Sequence, residues 1–218
     1  MAEHFRLAGR RPHGRSFPAC CHVAWHVRKR AQPGMAGRKA GRRSFVVAAI
    51  DHPGTSTMQR DPDQRRELWE RPADISRTIY HMLDTHDLAD RIDRDQVFMA
   101  GHSLGGFTAV ALAGGRYDAD GFDAFCVGQP DELVCGIFNA WNVAQSEEDR
   151  QAMQQDLSDP RIKAFAVFDL GGTQSFSKDS LGRVDTPMLV YGAPEDISGL
   201  DLDKESRALV AALPESIV

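Results

Sequence analysis

The pattern of apolar and polar positions divides the chain at Phe45. From there Phe45-Val46-Val47-Ala48-Ala49-Ile50 is an unbroken apolar run of strand length. A strand buried on both faces reads this way. It stops at the turn cluster Asp51-His52-Pro53-Gly54. Ile75, Ile79 and Met82 recur at helical spacing and predict a helix from about Pro72 to Asp84, with the proline in its first turn. Gln96 to Ala100 reads as a short strand and Leu104 to Ala113 as a helix of small and apolar residues. Ser146 to Leu157 is a polar helix with Ser146 as its cap. Strands follow at Ile162 to Phe168 and Pro187 to Tyr191, and a helix at Asp203 to Leu213. Such alternation predicts an α/β fold, a mostly parallel, doubly wound sheet with helices on both faces.

Two stretches lack a period. Residues 114–145 look irregular, but Tyr117, Phe122, Phe125, Phe138 and Trp141 mark them as packed. They read either as an excursion over the active site or, in preference, as a surface insertion with its own small core. Residues 1–43 show neither helical nor strand periodicity and read as a basic, irregular segment outside the fold. They hold 11 Lys and Arg against one acid, Glu3, while the rest carries 15 basic and 30 acidic residues. A basic arm can bind nucleic acid. This one has no interleaved aromatics and no known module, so no nucleic-acid partner is expected.

Composition narrows the classes further. At 218 residues the chain is one domain with a sizeable core. No apolar run reaches the ~18 residues of a membrane span, and no secretory signal is visible as written. That reads as cytoplasmic, with export of an intact parent left open. Cys20, Cys21, Cys126 and Cys135 show no metal-ligand spacing, and buried free thiols are the preferred reading over a Cys126–Cys135 bridge.

The chemistry concentrates at Gly101-His102-Ser103-Leu104-Gly105-Gly106, between the strand Val97-Phe98-Met99-Ala100 and a helix. A G-x-S-x-G turn in that setting is a nucleophile elbow. The tight turn strains Ser103 and lifts its hydroxyl above the sheet at a helix N-terminus. There the dipole and free N–H groups favour a developing oxyanion, with the Leu104 N–H as one donor.

At these residues the sequence resembles the α/β-hydrolases called predicted dienelactone hydrolases and the related platelet-activating-factor acetylhydrolases. The resemblance runs from about Ser44 to Val218. It rests on the strand into Asp51-His52-Pro53-Gly54, on Arg71-Pro72-Ala73-Asp74-Ile75, on the elbow, and on Asp159-Pro160-Arg161-Ile162-Lys163-Ala164. True dienelactone hydrolase has a cysteine nucleophile, so Ser103 points to the serine esterases of the group. The resemblance implies hydrolysis of a small-molecule carboxylic ester or lactone through an acyl-enzyme, with no metal or organic cofactor. Oligomeric state and acyl specificity stay open.

The resemblance also frames the rest of the triad. The acid follows a late strand, which leaves Asp196 and Asp169 both open, with Asp196 placed first. The histidine should come after the acid, but none of the eight follows His102. His102 is the variable elbow residue, and His52, at a strand end, is read with it as substrate-binding. On this reading 44–218 is a partial α/β-hydrolase domain, incomplete at both ends, and a catalytically inactive binding protein is the alternative. Residues 16–43 are read as a hydrolase segment in a shifted frame. Taking each codon from its second base, Trp25-His26 must give glycine and Met35-Ala36 tryptophan, and Ala24-Trp25 can give the histidine of a His-Gly oxyanion loop.

Overall fold

The computed structural model describes residues 17–23, 45–55, 61–194 and 199–218. Five parallel strands form one sheet in the order β2-β1-β3-β4-β5. They are β1 (Phe17–Val23), β2 (Val46–Ala49), β3 (Ile92–His102), β4 (Ile162–Phe168) and β5 (Met188–Tyr191). Four of them fall where the apolar runs predict. The fifth, β1, corrects the expectation that residues 1–43 hold no strand: it lies between β2 and β3, pairing Ala19 with Val46 and with Val97. Its last residue, Val23, is level with Gly101 of the elbow.

Helices supply the covering layers. In α1 (Glu70–Tyr80), Arg71, Pro72, Ile75, Thr78 and Ile79 are buried, and a π turn over His81–Thr85 extends the same face through Met82 and Leu83. The α2 helix (Leu104–Leu112) is buried at every position, which explains its all-round small and apolar composition. The Asp159-Pro160-Arg161 motif fastens the start of β4 to α1. Ser76 Oγ donates to Asp159 Oδ2 at 2.7 Å, and Arg161 Nη2 donates to the Ser76 carbonyl at 3.0 Å.

Residues 114–145 are more ordered than their lack of period indicates. They form α3 (Ala119–Gly128) and α4 (Leu133–Ala140). Asp118 caps α3 by accepting from the Gly121 N–H at 3.0 Å. Nor is their core separate. Phe138 lies 4.7 Å from Phe122 and 6.1 Å from Phe107 of α2, ring centre to ring centre. Phe107 in turn lies 4.8 Å from Phe176. The insertion thus packs directly onto the helix that follows Ser103. The next helix, α5 (Glu147–Gln154), is capped by Ser146 as expected.

Cys126 and Cys135 form a disulfide between α3 and α4, which corrects the free-thiol reading. The two cysteines are nine positions apart, and a cross-link closing so short a loop restricts the unfolded chain by about 2–3 kcal/mol. Replacing both by serine is expected to lower stability by about that much in urea unfolding. An unchanged midpoint would show that the α3–α4 hairpin is held by its aromatics alone.

Candidate active site

Ser103 occupies the sharp turn between β3 and α2 with φ 53° and ψ −117°. That conformation is rare for a residue with a side chain and is tolerated where the surrounding structure imposes it. Here the crossing of strand and helix imposes it. A Cβ on Gly101 would sit 2.1 Å from the Gly105 carbonyl oxygen, so only glycine allows the backbones to approach. A Cβ on Gly106 would press on Val167 and Leu170 at 3.1 Å. The Ser103 carbonyl accepts from Gly106 and Phe107 and starts the helix. The Leu104 and Gly105 N–H groups, ahead of these in the first turn, have no carbonyl within the helix to bond. The Leu104 N–H, the group expected from the sequence to act as an oxyanion donor, is one of them.

The Ser103 N–H donates to the Phe168 carbonyl at 2.9 Å. This bond draws together the ends of β3 and β4 and puts Asp169, the next residue, at the adjacent strand end. Asp169 has a positive φ of 46°, donates its N–H to the Tyr191 carbonyl at 2.6 Å, and accepts from the Ala193 N–H at 3.2 Å through Oδ1. Of the two predicted acids, Asp169 is thus the one at the strand end next to that of Ser103. Asp196 lies outside the described residues.

The histidines fall elsewhere. His102 is exposed. His52 is only 4% exposed, and its Nδ1–H donates to Asp74 Oδ2 at 2.8 Å. Burial, helped by the Arg71 charge, pulls the imidazole down to about 4 against the pull of Asp74. It is therefore neutral near pH 7, with a buried Nε2 that has no partner among the described residues. Burial pushes the Asp74 carboxyl up, but His52 and Arg77 outweigh it and hold the carboxyl below its usual range. Among the described residues, no hydrogen bond reaches the Ser103 hydroxyl.

Three residues near the elbow were not singled out for a role by the sequence reading. Arg71 is 3% exposed and, among the described residues, no carboxylate lies within hydrogen-bond reach of it. Its position gives it away: 71, 75 and 79 form one stripe of α1, so an arginine stands where an apolar residue belongs. Thr108, its partner in α2, is fully buried. Glu205, in a π turn over Asp203–Arg207, accepts from the Gly172 and Thr173 N–H groups at 3.0 and 2.8 Å. It thereby ties down the loop that leaves Asp169. Burial pushes this carboxyl up to about 7, even against those hydrogen bonds.

A cavity of about 710 Å³ lies at the other end of the sheet, lined by Ile162, Lys163, Arg183 and Pro187. Ile162 begins β4, whereas the elbow sits beside its end, so this cavity is not where Ser103 would act. No helix among the described residues is long and apolar enough to cross a membrane. Residues 13–215 match the model of the alpha/beta hydrolase family, a stretch that includes β1. No curated protein matches the chain.

Proposed function

Since the chain belongs to the alpha/beta hydrolase family, we propose that it is a serine hydrolase acting on carboxylic esters or lactones through an acyl-enzyme on Ser103. The positive φ of Ser103 at the end of β3 carries this reading, because strain of that kind persists where it serves to present a side chain. Ser103 Oγ attacks the ester carbonyl, and the negative charge on the carbonyl oxygen is met by the Leu104 N–H and the α2 dipole. The C–O bond to the alcohol breaks, and the Oγ proton leaves with that alcohol. Water then attacks the acyl-enzyme and releases the acid. Asp169 is the preferred acid on the strength of its place beside Ser103, and the ester class rests on the likeness to the dienelactone hydrolase and acetylhydrolase groups.

One observation favours a second reading. No described histidine is bonded to Ser103, and a general base contributes about 10²–10⁴-fold. A fold that binds esters without turning them over would show the same elbow. Exposure to a fluorophosphonate probe, followed by peptide mass mapping and a panel of nitrophenyl esters, separates the two. A single label on Ser103 with slow ester turnover is expected. Label on another residue would sink the Ser103 assignment, and no label with no turnover would favour the binding protein.

A further inference from the structure

We propose that Arg71 is a positioning residue for the nucleophile elbow and acts through Thr108, an inference that rests on Ser103 being the nucleophile. The guanidinium spans two elements. Nη1 donates to Thr55 Oγ1 at 2.7 Å, in the loop after β2, and Nε donates to Thr108 Oγ1 at 3.0 Å, in α2. The Thr108 hydroxyl passes the interaction on, donating to the Leu104 carbonyl at 3.0 Å. Leu104 is the residue whose N–H faces a developing oxyanion. Its carbonyl is thus held from behind by a hydroxyl that a cation polarises, and hydrogen bonds in such a chain strengthen one another. This fixes the plane of the Leu104–Gly105 peptide and with it the first turn of α2.

Stability alone does not account for this arginine. A buried cation is costly unless a carboxylate compensates it. The nearby Asp74 is instead bonded to His52 and to Arg77 at 2.5 Å, and Arg71 Nη2 is buried with no partner among the described residues. An apolar side chain of similar length would avoid that cost and would leave no carboxylate stranded. What it would not do is hold Thr108, and through it Leu104.

The test compares Arg71→Met, Arg71→Lys, Thr108→Val and the Arg71→Met/Thr108→Val double variant. The rate of Ser103 labelling by a fluorophosphonate is expected to fall about tenfold in Arg71→Met and in Thr108→Val, less than the ~10²–10³-fold that outright loss of an oxyanion donor costs, because the Leu104 N–H is loosened and not removed. The double variant should be no slower than the slower single, because both act on one chain of contacts. Arg71→Lys should recover part of the rate. The melting temperature of Arg71→Met should stay within about 3 °C of the parent. Additive rate losses, or a large fall in melting temperature with an unchanged labelling rate, would overturn the proposal and leave Arg71 a packing residue. If the parent protein is not labelled, the reading of Ser103 fails separately, and amide NMR still decides the strut. Arg71→Met and Thr108→Val should then shift the Leu104 and Gly105 amide resonances alike. Unmoved resonances would refute it.

Discussion

Replacing Ser103 by glycine is expected to abolish fluorophosphonate labelling and to make the protein more stable. The two effects have one cause. At φ 53° the serine side chain is strained, and such conformations cost of order 1–3 kcal/mol. Glycine removes that strain and returns about 0.5–1 kcal/mol as extra freedom of the unfolded chain. The balance is a gain of about 1 kcal/mol. Little is lost elsewhere, because no hydrogen bond from a described residue reaches the hydroxyl. Ser103→Ala should also end labelling, but it keeps a Cβ at the same φ and should show no gain. Urea unfolding of both variants beside the parent checks this. A destabilised Ser103→Gly would mean that the side chain serves packing, and the elbow reading would lose its main support.

That trade of stability for presentation was legible in the sequence because glycine leaves a discrete signature. Gly101 and Gly105 flank the serine, and the structure shows the 2.1 Å approach that forbids a side chain at the first of them. Strands β2, β4 and β5 were legible for a similar reason, since β-branched and aromatic residues cluster in each. Strand β1 was not. Phe17-Pro18-Ala19-Cys20-Cys21-His22-Val23 has one β-branched residue, a proline near its start and a histidine near its end, amid arginines. Its pairing comes from the sheet on either side, which no local pattern encodes. The α3–α4 hairpin was missed because its burial is set by contact with Phe107 and by a disulfide, both external to its own periodicity. The acid could not be chosen from sequence, because Asp169 and Asp196 both follow strands. The Ser103 to Phe168 hydrogen bond is a tertiary fact that favours Asp169.

The buried polar groups near the site should give a pH profile of stability in which two effects nearly cancel. His52 is lowered from 6.5 to about 4 by burial. Between those values the unfolded chain holds a proton that the folded one does not. Its contribution is therefore complete above pH 6.5 and is lost as pH falls toward 4. Glu205 runs the other way: burial raises it from 4.5 to about 7, so the folded state holds the extra proton. Its contribution is complete below pH 4.5 and is lost as pH rises through 7. Across pH 5–7 the two slopes oppose, and the parent protein should change little from this pair. Glu205→Gln keeps an acceptor for the Gly172 or Thr173 N–H but removes the titration, so its stability should rise by about 2 kcal/mol from pH 5 to 7. His52→Asn keeps a donor for Asp74, and its stability should fall by a similar amount over the same interval. Urea unfolding at pH 5, 6 and 7 reads both slopes. Equal slopes of the same sign in the two variants would show that His52 and Glu205 are not the buried groups that set the acid response of this fold.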